Sequence, residues 1–297
     1  MNPLFFLLIL FSIIISGPKK KISSDLLVTQ LKCNNLVNPL GTDNKPFFSW
    51  IVESKKKNQR QTAYRIIISS DLKKINSGEG DILDSGKTIS DQSLWIRYNG
   101  KELTPGEKYF WRVQIWDDNN SPSAWSEPAF FVTGLFNEKD WNGAKWIGFE
   151  SIPDSLKLIP GVHGNGDNLG KIAKKRCVIP YFRKEFSIDK NVKRTLVFVS
   201  GLGQYEFYFN GETVGDHFLS PGWTQYNKSY LYDIFDITDK IKNGTNALGA
   251  IVGNGFFNIN RERYRKLVIA YGAPEMILKL EIEYNEFGPD NICRFHA

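Results

Sequence analysis

The run from Gln204 to Thr213 constrains this chain more than any other stretch. Tyr205, Phe207 and Phe209 fall on one side of it and Glu206 and Tyr208 on the other, the period of a half-buried strand. Asn210-Gly211 then supplies the two residues that tolerate positive φ at the centre of a type I′ turn, so the chain reverses into a second strand through Thr213 and Val214. The stretch closes on Pro221-Gly222-Trp223, a turn that delivers an indole. Such a ring is either core or a platform for a flat ligand.

The same signals recur on both sides. Strands are expected at Tyr181 to Ser187, Arg194 to Ser200, Ser229 to Phe235, Ala247 to Gly253 and Met276 to Tyr284. Between Phe235 and Ala247, Thr238 is expected to cap one helical turn that Asn243-Gly244 ends. A strand, a one-turn helix and another strand form the corner of a jelly-roll sandwich.

Earlier in the chain, strand signals stand at Leu26 to Leu31, Phe47 to Val52, Ala63 to Ser69, Ile82 to Ser85, Trp95 to Tyr98, Tyr109 to Trp116 and Ala129 to Thr133, with no convincing helical period among them. Short strands separated by turns predict an antiparallel sandwich. Pro105-Gly106 makes a turn, after which Tyr109, Trp111, Val113 and Ile115 face one way and Phe110, Arg112, Gln114 and Trp116 the other. Core packing is expected for Trp111 and an interdomain contact for Trp116. The Leu103-x-Pro-Gly-x-x-Tyr109 run and the Trp125-Ser-Glu-Pro turn resemble fibronectin type III domains, in which the tyrosine hydroxyl satisfies a nearby backbone group. A Gly-, Asn- and Pro-rich linker, Ser151 to Lys175, follows the start of the second domain at Trp141.

At 297 residues the chain is long enough for two domains with cores of their own, and its 14% aromatic content excludes disorder. The net charge of +6 is spread over short clusters, such as Lys55 to Lys57 and Arg261 to Lys266, with acids between them. A solvated surface explains it, because no recognition helix or zinc spacing accompanies the charge; no nucleic-acid partner is expected. Cys33, Cys177 and Cys293 stand far apart, which gives no zinc ligand set and leaves their pairing open. His163 lies in a glycine-rich loop without a nucleophile or metal partner at a recognisable spacing, and Gly164, Gly166 and Gly170 do not form a phosphate cradle. Leu4 to Ile15 has the length of a signal-peptide core and is too short to span a bilayer. Residues 1–17 are therefore read as an export signal, with an uncleaved anchor as the alternative. Export to the periplasm or the exterior follows, with no membrane span once the signal is removed.

Taken in order, the segments resemble the amino-terminal part of bacterial α-L-rhamnosidases of glycoside hydrolase family 78. The matching pieces are Ala63-Tyr-Arg-Ile, Asp84-Ser-Gly-Lys, Tyr109-Phe-Trp-Arg-Val, Trp125-Ser-Glu-Pro and Ala144-Lys-Trp-Ile-Gly. The second half adds Phe182-Arg-Lys-Glu-Phe, Gly201-Leu-Gly-x-Tyr-Glu-x-Tyr-x-Asn-Gly, Val214-Gly-Asp, Pro221-Gly-Trp-Thr-x-Tyr, Asp236-Ile-Thr-Asp and Gly253-Asn-Gly-Phe-Phe. The resemblance implies an all-β chain: a fibronectin type III or immunoglobulin-like sandwich at residues 24–134, then a galactose-binding-like jelly roll at residues 141–297, truncated at its carboxyl end. It also implies that the family's paired catalytic carboxylates belong to a helical barrel downstream. No catalytic residue is assigned here, and the expectation is a non-catalytic region of an enzyme that removes terminal α-L-rhamnose. A free-standing carbohydrate-binding or adhesion module is the alternative.

Sugar recognition needs an aromatic face for the apolar side of the ring and polar groups for its hydroxyls. Trp223 and Tyr226 are the candidate face, and Asn254, Asp216 and Arg263 the candidate polar contacts, for a rhamnose-containing glycan or glycoside. Some relatives hold calcium with the sugar. Here no Asp-x-Asp-x-Asp-Gly loop or dense carboxylate cluster supports a metal, and no cofactor is assigned.

Overall fold

The computed structural model describes residues 24–159, 177–259, 269–285 and 292–296. The expectations at residues 1–17, His163, Gly164, Gly166, Gly170 and Arg263 lie outside that set. Strands β1 (Leu27–Cys33), β2 (Leu40–Thr42), β3 (Phe47–Glu53) and β4 (Ala63–Ser69) precede helix α1 (Leu72–Ser77). Then come β5 (Leu83–Asp84), β6 (Thr88–Ile89), β7 (Ile96–Arg97), β8 (Lys108–Trp116), β9 (Ala129–Thr133) and β10 (Ile147–Gly148). The remainder holds β11 (Tyr181–Ile188), β12 (Val192–Leu202), β13 (Gln204–Phe209), β14 (Glu212–Thr213) and β15 (Asp233–Asp236). It ends with β16 (Gly244–Gly253), β17 (Asn258–Ile259), β18 (Ile269–Ala270), β19 (Glu275–Tyr284) and β20 (Ile292–His296).

The chain divides into two compact units. Of the described residues, unit 1 holds those in 24–37, 47–96 and 110–129, and unit 2 those in 38–46, 97–109 and 130–296.

In unit 1, β1 pairs antiparallel with β3, and β4 pairs with β5, β6 and β8. Along β8 every second side chain is buried, including Trp111, Val113 and Ile115, as the alternation predicts. Trp111 is fully buried and its ring lies 4.6 Å from that of Phe48. Trp50 is buried too and donates its indole N–H to Gln61 Oε1 at 3.0 Å. Trp116 is half-buried, and the Lys87 ammonium, also in unit 1, lies 4.8 Å from its ring centre. Helix α1 is an element the periodicity does not announce. Its ends carry ordinary signals, an Asp71 side chain accepting from Lys73 N–H and Gly78 closing it at φ 83°, but it buries one residue, Ile75, and so has no apolar stripe to read.

Unit 2 is built on two antiparallel sheets. One has the order β10-β19-β12-β15, with β20 also on β19, and the other the order β11-β16-β13-β14. Phe186, Tyr205, Phe207, Phe209, Leu248, Val252, Leu278 and Leu280 fill the space between the sheets. Strand β12 is buried on both faces. Val197 and Val199 join that core, while Leu196 and Phe198 pack on the opposite face with Val132, Leu135, Phe130, Trp141, Tyr232 and Ile234. A second apolar face on one strand recruits residues 130–141 into this unit, and Tyr232 fixes them: its hydroxyl accepts from Leu135 N–H at 2.7 Å and donates to Leu135 C=O at 3.1 Å.

The jelly-roll corner differs in one detail from the expectation. A single 3₁₀ turn spans Thr238–Lys240, but Thr238 is its first helical residue and not its cap. Asp236 Oδ1 accepts from Thr238 N–H at 3.0 Å, and Thr238 Oγ1 accepts instead from Thr195 N–H on β12 at 2.9 Å. With Asp236 accepting from the Thr238 amide, the turn starts at Thr238 itself, and the threonine hydroxyl is left to tie the corner to the sheet. No helix among the described residues is long and apolar enough to cross a membrane.

Candidate functional site

The hairpin forms as its sequence requires. Asn210 and Gly211 take φ 51° and 86°, Tyr208 pairs with Thr213, and Phe209 pairs with Glu212. Val214 N–H donates to Phe207 C=O at 2.9 Å, and Tyr205 N–H donates to Ser220 C=O at 2.9 Å. Between those two anchors residues 215–219 leave the sheet. Gly215 (φ 87°) makes the departure because a Cβ there would stand 2.6 Å from the Phe235 ring. The excursion walls a groove of about 550 Å³ lined by Gln204, Glu206, Thr213, Asp216, His217, Phe218 and Ile251, among others.

The groove's character is mixed. The Asp216 side chain is almost fully exposed, with the His217 ring nitrogen 3.6 Å from its carboxylate. Phe218 is 94% exposed, a large ring left in water at the tip. At the base, the buried Tyr205 hydroxyl donates to the Asp233 carboxylate, and burial together with that charge pushes the tyrosine pKa up.

Beyond Ser220 the chain turns at Pro221-Gly222 and presents Trp223, 60% exposed, stacked face to face on Phe256 with ring centroids 4.6 Å apart and planes 12° from parallel. Phe256 reaches it from the loop after β16. That loop lies against β13 because Gly255 has no side chain: a Cβ there would meet Gln204 N at 3.0 Å. Asn254 is half-buried, and its Oδ1 is buried with no hydrogen-bond partner.

The candidate residues therefore separate. Trp223 is an exposed platform, doubled by Phe256, and Asp216 lines the neighbouring groove. Asn254 lies on the loop that carries Phe256, outside the groove lining. Tyr226 is 3% exposed, edge-on to Phe257 at 5.3 Å and to Tyr271 at 5.5 Å, with burial raising its pKa. It offers no face to a ligand and serves as core. Arg263 lies outside the described residues. Phe256 and Phe218 were not singled out by sequence reasoning. The Phe256-Phe257 pair held the signal, since adjacent strand or loop residues point to opposite sides and one of two neighbouring rings tends to be exposed.

Calcium takes six to eight oxygen ligands. Asp216 is a single exposed carboxylate, and among the described residues no group of three or more His, Cys, Asp or Glu could hold a metal, so these residues do not fit it.

The fold and the site together define a class: tandem all-β sandwiches whose second member carries an exposed aromatic platform beside a groove. Residues 28–137 match the Rha78A-like, N-terminal immunoglobulin domain, and residues 190–292 match the alpha-L-rhamnosidase N-terminal domain. An alpha-L-rhamnosidase of Formosa agariphila is 34% identical over 292 residues, which cover 96% of this chain and 31% of that protein. The solved alpha-L-rhamnosidase from Dictyoglumus thermophilum superposes with a TM-score of 0.72 at 39% identity, over 91% of this chain and 29% of that one. That of Streptomyces avermitilis, complexed with L-rhamnose, shares the fold with a TM-score of 0.75 at 21% identity, over 92% of this chain and 40% of that one. The two matched segments therefore belong to the domain families that form the amino-terminal region of α-L-rhamnosidases. It spans about a third of the length of the relatives it matches.

Proposed function

We propose that this chain is the non-catalytic amino-terminal part of an exported α-L-rhamnosidase, and that it supports domain arrangement and recognition of rhamnose-containing glycans. The observation that carries the recognition reading is the Trp223–Phe256 stack. An exposed, nearly parallel aromatic pair has forgone the burial that usually decides where such rings lie, and it offers a flat apolar surface of the kind that the C–H face of a pyranose covers. Asp216 in the adjoining groove supplies an acceptor for hydroxyls. The non-catalytic reading is supported by the match to segments described as amino-terminal domains. Export is supported by the apolar run Leu4 to Ile15.

Isothermal titration of the whole chain with L-rhamnose and rhamnosyl oligosaccharides tests recognition: heat is expected, and it falls in Trp223→Ala. Absence of heat with the unmodified chain sinks the recognition reading. Incubation with a nitrophenyl rhamnoside tests the rest, since release of nitrophenol by the purified chain contradicts a non-catalytic role.

A further inference from the structure

Trp95, in unit 1, combines three properties that rarely coincide. Its backbone is left-handed at φ 56°, a conformation that bulky residues avoid because the Cβ crowds the following carbonyl. Its side chain is 66% exposed, so no burial offsets the unfavourable backbone. Its position is nevertheless fixed. Trp95 N–H donates to Ser49 Oγ at 3.0 Å, Trp50 N–H donates to Ser93 C=O at 2.9 Å, and Gln92 Nε2 donates to Leu94 C=O at 2.8 Å. Ser49 is itself buried, which anchors the segment to β3. Strain that surrounding structure holds in place, without a packing gain, is the signature of a functional position.

We infer that Trp95 is a second glycan-contacting platform, independent of Trp223. The chemistry decides between occupants. The chain neighbour of Trp95, Leu94, is also exposed. An indole presents at most about 250 Å², far below the roughly 800 Å² per partner that a stable protein interface buries. A surface of that size suits one or two rings of a sugar chain, whose apolar face stacks on the indole while its hydroxyls stay in water. The identity of the sugar as rhamnose-containing rests on the function proposed above.

Native gel electrophoresis of the whole chain through a gel containing rhamnogalacturonan tests the inference. The unmodified chain is expected to be retarded, and Trp95→Ala and Trp223→Ala each to weaken retardation about threefold to tenfold in apparent affinity, the range for loss of one aromatic contact. Equal retardation of Trp95→Ala and the unmodified chain overturns the inference and leaves the Trp223 reading standing. Weakening by Trp95→Ala but not by Trp223→Ala supports the inference and overturns the earlier reading, and no retardation of the unmodified chain overturns both. Trp95→Gly separates function from structure, because glycine accepts φ 56° without strain. It is expected to keep or raise the melting temperature while retardation falls; a fall in both assigns Trp95 a structural role and overturns the inference.

Discussion

Gly203 and Gly253 meet backbone to backbone: a Cβ on Gly203 would stand 2.0 Å from the Gly253 carbonyl oxygen. Gly203 also holds φ 128°, so both contact and conformation exclude a side chain. Gly203→Ala is expected to destabilise unit 2 by about 2–4 kcal/mol. Gly211→Ala, where nothing lies within 4 Å and the φ of 86° is the sole obstacle, should cost about 1 kcal/mol. Urea unfolding of the two variants checks the order.

The Tyr109 hydroxyl accepts from Thr104 N–H at 2.9 Å across the Pro105-Gly106 turn. Tyr109→Phe leaves that amide without its acceptor and is expected to lower stability by about 1–2 kcal/mol, read as a shift of the urea midpoint at unchanged slope.

Tyr205 predicts a pH dependence. Burial first, then the Asp233 charge and its hydrogen bond, raise the folded-state pKa above the unfolded value of about 10. The unfolded chain releases this proton first, so the contribution is complete below pH ~10 and is lost as pH rises above it. Stability should fall between pH 10 and 11, and Tyr205→Phe should reduce that slope by up to about 1.4 kcal/mol per pH unit. Denaturation series of both proteins measure it; identical slopes contradict the assignment.

Lys279 is an ammonium buried in unit 2. It donates to Asp140 C=O at 2.6 Å, pairs with Glu281 at 2.9 Å and lies 5.2 Å from the Phe198 ring centre. Removing the cation takes the Lys279 partner from a mostly buried carboxylate and the Lys279 donor from the Asp140 carbonyl, so Lys279→Ala should cost about 2–4 kcal/mol. Lys279→Met, which keeps the packing, should cost less. Stability of Lys279→Met equal to that of the unmodified chain would refute this account.

Much of the fold was legible because it is local. Asn210-Gly211 fixes a hairpin through its own φ angles, and the alternation of Tyr109 to Trp116 fixes which side of β8 is buried. The site was less so. Trp223 and Tyr226 follow the same turn, and no period distinguishes them. Phe257 and Tyr271, brought from later in the chain, cover Tyr226, whereas Phe256 stacks on Trp223 and leaves its other face open. Thr238 shows the same limit on a smaller scale, since its hydroxyl was claimed by β12.

By itself, then, the sequence determined strands, turns and the family to which its motifs belong, because periods, left-handed glycines and turn dipeptides act between near neighbours. Tertiary structure alone decided that β12 is covered on both faces, and so which stretches of chain count as one unit. Burial is a property of what arrives from elsewhere, and the Leu196 and Phe198 face carries no mark of the Val132, Leu135 and Tyr232 that close over it.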